Sequence, residues 1–395
     1  MKKHIAVVSV PAHGHINPTL PLVEELTARG HRVSYATGAA MLETVEAAGA
    51  DPVAVPSAEP NASKLENGGQ VTTEAMLTMM SFMREQIVET FPALEQHFRA
   101  DPPDALCVDM MTVPGRMAAD VLGVPEVGLL PSFAANEQFS LHSRMSERID
   151  LTDPRIAEAQ QEFTALAERF GANPDVVGWH GTPADTNVVF LPKRFQLAAE
   201  TFDDRFHFIG PCLGRRAEQR YRPADPDAPL LFISLGTAFN NRPDIFRMCL
   251  EAFGDSGWQV AMSIGHRVGL DELGTIPGNV DVRPSFPQPG VLQQATAFLT
   301  HNGMGSTMEA LHYGVPQAGL PQMVEQEANA DRVAELGLGR RLDEQRLSPE
   351  YLRAQLDELV ADEQVRANLA AMREHLRSAG GPAAGADVIE AAAGA

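Results

Sequence analysis

Residues 4–19 read HIAVVSVPAHGHINPT: an apolar run, a turn holding two histidines and one glycine, then the start of a helical pattern. A short apolar run bounded by turn residues is the pattern of a strand buried on both faces. A strand that passes at once into a turn and a helix opens a parallel βαβ series. At this turn a dinucleotide-binding fold carries Gly-x-Gly-x-x-Gly. His13 and His15 stand there instead, so any nucleotide is expected to be held elsewhere in the chain.

The same alternation continues through two series. In the first, strands are expected at 4–10, 31–37, 52–55, 105–110, 125–130 and 187–192, with Pro18 opening a helix that Gly30 closes. In the second they are expected at 230–236, 258–265, 280–286, 297–303 and 315–321. Between the series lies GPCLGRRAEQRYRPADPDAP (210–229), rich in Pro, Arg and Asp and without apolar periodicity, which reads as a linker. Its Asp225-Pro226-Asp227 formally matches a metal-nucleotide DxD motif, but outside a strand end it reads as a turn. Two charged amphipathic helices are expected over 348–378, and GGPAAGADVIEAAAGA closes the chain as a small-residue helix. The expected organisation is an α/β protein with domains at 1–209 and 230–378, a linker at 210–229, and a helix at 379–395 returning to the first domain.

Bulk properties agree with two domains, since 395 residues exceed one ordinary core. No apolar run approaches the roughly 18 residues of a membrane span, and the N-terminus reads as a first strand rather than a secretory signal, so a cytoplasmic protein is expected. A net charge of −21 disfavours nucleic acid and anionic lipid as partners. Cys107, Cys212 and Cys249 show no CxxC spacing and read as buried thiols in a reducing compartment.

In a doubly wound sheet, ligands sit beyond the strand ends where the strand order reverses, between the first and fourth strands. His15 follows the first strand and Asp109 ends the fourth, so the fold is expected to bring them together across 94 positions. Asp109 would fix the imidazole tautomer and leave the other nitrogen to take a proton from a substrate hydroxyl. Simple loop hydrogen bonding, or half of a metal site with His13, are the alternatives.

The stretch FLTHNGMGSTMEALHYGVP (298–316) ends a strand at His301, turns through glycines and opens a helix with Ser306 and Thr307. Helix N-terminal N–H groups, hydroxyls and an imidazole suit a diphosphate, and Glu309 suits the two hydroxyls of a ribose. Ser234, Gly236 and Thr237 of ISLGTAF add donors, and Glu325-Gln326 suits sugar hydroxyls. Each of these also occurs as ordinary turn or helix-start structure. Met76, Met79, Met80 and Met83 with Phe82, and Phe133 with Phe139, read either as a forgiving pocket for a hydrophobic ligand or as core.

Taken in order, AHGHINP, SLGT, FPQPGVL, THNGMGSTMEAL, PQMVEQ and GGPAAGADVIE make the chain resemble the GT-B glycosyltransferases of glycosyltransferase family 1. The likeness is to the bacterial macrolide and flavonoid glucosyltransferases. It implies two Rossmann-like domains facing each other across a cleft, and inverting transfer of a hexose, glucose first, from a nucleoside diphosphate sugar to a hydroxyl of a hydrophobic small molecule. UDP-glucose is the first choice of donor and a dTDP-sugar the second, with no bound cofactor and no metal. His15 maps onto the family's general base and Asp109 onto its supporting aspartate. Donor contacts map onto Ser234, Gly236, Thr237, Phe286, Gln288, His301, Gly303, Gly305, Ser306, Thr307, Glu309, Glu325 and Gln326. Three positions depart from the pattern: Ser285 where a tryptophan often stacks on the base, Glu325 where an aspartate is usual, and Gly305 in place of an asparagine. An NDP-sugar epimerase or hydrolase of the same fold and a non-catalytic auxiliary partner are the competing readings; monomer and homodimer both remain open.

Overall fold

In the computed structural model, which describes residues 1–57, 72–141, 149–177, 183–237 and 240–394, strand β1 (His4–Val8) is buried at all five positions. Its side chains alternate between two cores, as the period of a strand requires. Ile5 and Val7 join Leu22, Leu26 and Tyr35 on one face, whereas Ala6 and Val8 join Phe91, Phe98 and Met117 on the other. Such double burial explains why the run is apolar throughout rather than alternating.

The chain forms two compact units, Met1–Gly214 with Leu376–Ala395, and Arg215–His375. The first holds β1, β2 (Arg32–Thr37), β3 (Asp51–Ala54), β4 (Ala105–Asp109), β5 (Glu126–Leu130), β6 (Thr186–Val189) and β7 (Phe206–Phe208) in the order β3-β2-β1-β4-β5-β6-β7. The second holds β8 (Leu230–Ser234), β9 (Gln259–Ser263), β10 (Val280–Arg283), β11 (Ala297–Thr300), β12 (Gln317–Gly319) and β13 (Gly339–Arg341) in the order β10-β9-β8-β11-β12-β13. All pairings are parallel. The two sheets therefore repeat one plan, with the reversal of strand order at β1/β4 in one and at β8/β11 in the other.

Several expectations need correction. Helix His13–Ala28 starts five residues before Pro18 and carries Pro18 and Pro21 inside it. His15 therefore sits in the first turn of the helix instead of preceding it. Strands β7 and β13 escaped the sequence reading because three residues are too few to show a period. The segment 210–229 is not a separate linker: the unit boundary falls after Gly214, and a 3-10 turn spans Gly214–Glu218. Asp225 and Asp227 form a turn, Asp227 N–H donating to Asp225 Oδ1 at 3.0 Å. Helix Gly381–Ala392 buries Ala386 and Ile389 in the core of the first unit, where Arg29 pairs with Asp387 at 2.6 Å and Glu390 at 2.9 Å. All three cysteines are buried, and burial pushes their thiols up.

Candidate active site

Helix His13–Ala28 begins where β1 releases the chain, and Ala12 at its N-cap gives it no side-chain cap. His15 is the third residue of this helix, and Asp109 is the last residue of the neighbouring strand β4. Their side chains meet at 2.8 Å, His15 Nδ1 to Asp109 Oδ2. Asp109 is completely buried, and its other oxygen accepts from Met111 N–H at 2.9 Å. With both oxygens held, the carboxylate has one orientation, and as an acceptor it assigns the proton to Nδ1 and the lone pair to Nε2. The His15 side chain is 26% exposed, enough to meet a ligand. The helix N-terminus lies on one side of the His15 ring and the Asp109 carboxylate on the other. His13 is exposed and takes no part, and no group of three or more metal-ligating side chains occurs among the described residues.

Beside the dyad a pocket opens between the ends of β1 and β4 and the long helix Thr73–Ala100, lined by Val10, Val55, Phe82, Met83, Gln86 and Met111 among others. Met111, whose N–H holds Asp109, connects pocket and dyad. Phe82 and Met83 therefore belong to this pocket, but the other five expected residues do not line it. Met76 is buried in the core with Met80, and Met79 is half-buried outside the lining. Phe133 is buried and stacked on Phe195 at 5.7 Å, and Phe139 meets Phe202 edge to face at 6.3 Å. Helical spacing showed which methionines share a face but not how far along the helix the pocket reaches.

In the second unit β8 and β11 end side by side. β8 leads to Ser234, Gly236 at φ 77° and exposed Thr237, and Ser234 Oγ accepts from Gly236 N–H at 3.4 Å. β11 leads to His301, Asn302 at φ 57° and Gly303, which starts helix Met304–Tyr313 without a side-chain cap. The helix thus begins two residues before Ser306. The His301 ring fills the space between Gly236 and Gly303, and a Cβ on either glycine would run into it. Burial pushes the His301 pKa down to about 4, the Ser234 backbone pulling the other way, and Nδ1 completes no hydrogen bond of good geometry. A neutral imidazole and uncapped N–H groups at a helix start together form a cradle for an anion.

Ser306 Oγ accepts from Gln288 Nε2 at 3.2 Å, and the same amide donates to Glu309 Oε2 at 2.8 Å. Gly305 faces open space. Thr307, expected as a donor ligand, is instead fully buried, because a helix starting at Met304 turns it inward. Gln326 is also turned away: it is buried, and its Oε1 accepts from Gln322 N–H at 2.8 Å at its own helix start. Glu325 is half-buried and accepts from Asn329 Nδ2 at 3.0 Å. Phe286 rests edge-on to Tyr221 and Phe232, with the Arg283 guanidinium 4.9 Å above its ring.

The sequence reading missed the residues behind this cradle. Asn302 donates to Gln317 Oε1 at 3.1 Å, and Asn329 donates to the Asn302 carbonyl at 2.8 Å, locking the left-handed turn. The Asn-Gly pair at 302–303 was a usable signal, since Asn tolerates that conformation. Asn240 Nδ2 holds the Gly236 carbonyl at 2.8 Å. Arg216, from the supposed linker, donates to Glu309 Oε1 at 2.7 Å.

The family model described as "Erythromycin biosynthesis protein CIII-like, C-terminal domain" matches residues 248–391. NDP-glycosyltransferase YjiC of Bacillus subtilis (strain 168) is 39% identical, with 99% of this chain and 98% of the relative covered. Demethyllactenocin mycarosyltransferase of Streptomyces fradiae is 37% identical over 98% of this chain and 86% of its own length. Among solved structures, the calicheamicin glycosyltransferase CalG4 is similar at a TM-score of 0.85 and 35% identity, with 100% of this chain and 99% of that one covered. Likeness of this extent, along nearly the whole length of both partners, means that the chain belongs to the NDP-glycosyltransferases of GT-B fold and is a glycosyltransferase.

Proposed function

We propose that this glycosyltransferase moves a hexose, glucose first, from a nucleoside diphosphate sugar to a hydroxyl of a hydrophobic natural product such as a macrolide, flavonoid or other polyphenol, with inversion at the anomeric carbon. The observation that carries the reading is the 2.8 Å contact of His15 Nδ1 with buried Asp109 beside an apolar pocket. An acceptor lying against Phe82, Met83 and Val10 would present its hydroxyl to His15 Nε2. As Nε2 takes the proton, the acceptor oxygen bonds to the anomeric carbon and the bond from that carbon to the diphosphate oxygen breaks. Asp109 stabilises the imidazolium, and a positioned base of this kind is worth about 10² to 10⁴ in rate.

The leaving diphosphate is assigned to the second unit, where the N–H groups of Met304, Gly305 and Ser306, the Ser306 hydroxyl and His301 meet its growing charge. Glu309 is assigned to the ribose and Glu325 to the sugar. UDP is the preferred nucleotide. A dTDP-sugar is the second choice, because Ser285 stands where a stacking ring would favour uracil. Mass spectrometry of the protein with UDP- and dTDP-sugars against a mixed panel of macrolides and phenols tests the reading. It predicts acceptors made heavier by one sugar residue, in the anomeric configuration opposite to the donor's. Donor consumed equally without any acceptor would support an epimerase or hydrolase instead.

A further inference from the structure

Arg216 lies in the stretch whose composition suggests a linker, yet its guanidinium holds one oxygen of Glu309 while Gln288 holds the other, at 2.7 and 2.8 Å. The segment around it is built into the second unit. Gln293 Nε2 donates to the carbonyls of Ala217 at 2.9 Å and Gln219 at 3.3 Å, and Arg220 donates to Gln293 Oε1 at 3.3 Å. Gly290, in the helix that begins with Gln288, lies so close to the backbone of Gln219 and Arg220 that a Cβ would collide with it. The glycine of FPQPG thus lets the Arg216 segment lie flat against the helix that carries Gln288.

We propose that Arg216 is a positioning residue that aligns the Glu309 carboxylate for a ribose diol, and so sets the preference for ribonucleoside over 2′-deoxyribonucleoside diphosphates. This rests on the assignment of Glu309 to the ribose. A carboxylate offers about four acceptor sites, two on each oxygen. With Arg216 on Oε1 and Gln288 on Oε2, one site is left on each oxygen, a match for two vicinal hydroxyls that donate one apiece. The Arg216 Nη1 contact on one oxygen and the Gln288 contact on the other hold the carboxylate plane, and the planar guanidinium loses less freedom in doing so than a flexible ammonium would. Its positive charge also offsets the repulsion between Glu309 and a diphosphate, in a chain of net charge −21. Glu309 is 9% exposed at its side chain and Arg216 23%, so the pair lies where solvent screens it only in part.

Calorimetric affinities for UDP and 2′-deoxy-UDP, which differ by one hydroxyl, test this on the full chain as wild type, Glu309→Gln, Arg216→Gln and Arg216→Lys. Wild type is expected to favour UDP by about tenfold or more, the size of one hydrogen bond to a charged group. Glu309→Gln should bring the ratio near one. Arg216→Gln should do the same although the carboxylate is intact, and Arg216→Lys should give an intermediate ratio. The Lys variant serves alone if the Gln variant does not fold. An arginine that only fastens its segment would weaken both ligands alike and keep the wild-type ratio in both Arg216 variants. That result overturns the inference, while a ratio lost in Glu309→Gln alone leaves the ribose assignment standing. A ratio near one in wild type, or unchanged in Glu309→Gln, overturns both.

Discussion

His301 shows how one side chain dictates its neighbours. Its ring occupies the space that side chains at 236 and 303 would need, so two glycines of widely separated motifs have a single physical cause. Gly236→Ala and Gly303→Ala are each expected to weaken UDP binding by tenfold or more, by displacing the imidazole from the cradle; Gly236→Ala adds strain at φ 77°. Gly305→Ala, which meets open space, should leave the fold intact and serves as the control for stability. Calorimetry with UDP beside thermal melts of the three variants checks this. Equal affinity in all three would show that His301 is not part of the cradle.

The same histidine makes stability depend on pH. Its pKa is about 4 in the folded chain against 6.5 for an ordinary histidine. Between these values the unfolded chain binds a proton that the folded chain does not, so stability falls as pH falls from about 6.5 toward 4. From pH 7 to pH 5 this one group should cost about 2 kcal/mol. Urea unfolding at the two pH values should show a smaller loss in His301→Gln than in wild type. An identical loss in both would contradict the shift.

Among the elements, the central strands were plain in the sequence because burial on both faces demands unbroken apolar runs, as in HIAVV, ALCVD and LLFIS. Their ends were read one or two residues too long, since Ser9, Val10, Met110, Leu235 and Gly236 lie beyond the strands yet remain buried or half-buried. Pro18 misplaced the first helix because proline is commoner at a helix start than in its interior, yet here two prolines lie inside. The His15–Asp109 contact was legible because it depends on strand order, which the alternation of elements already implies. Arg216 was not: composition showed only that 210–229 lacks periodicity, and no local pattern marks an arginine that docks on Gln288 and Glu309.

Helix Thr73–Ala100 separates two jobs that its sequence blends. Met76 faces the core and Phe82 and Met83 face the pocket. Met76→Ala should therefore cost about 2–5 kcal/mol in denaturant unfolding, with the ranking of acceptors unchanged. Phe82→Ala and Met83→Ala should cost less stability and reorder an acceptor panel. A Met76→Ala variant that changes acceptor ranking at full stability would reverse this division.

Across the whole molecule, one strand order is used twice, and the proposed function puts the chemistry of each copy where that order reverses. In the first the loops there carry the hydrogen-bonded His15–Asp109 pair and an apolar pocket; in the second they carry helix-start N–H groups, a neutral imidazole and a held carboxylate. On the proposed function the missing glycine fingerprint at residues 11–16 follows from this division, because the nucleotide is assigned to the second copy. On the same proposal, backbone dipoles would do locally for a diphosphate what the overall field of a chain of net charge −21 opposes.

The most direct measurement is kcat/KM for transfer by His15→Ala and Asp109→Asn beside wild type, with UDP affinity measured on the same samples. The donor–acceptor pair should be the one giving most product in the mass-spectrometric screen. A loss of about 10² to 10⁴ in His15→Ala, a large loss in Asp109→Asn, and unchanged UDP affinity in both are the results expected if His15 removes the acceptor proton. Wild-type transfer by His15→Ala would contradict it.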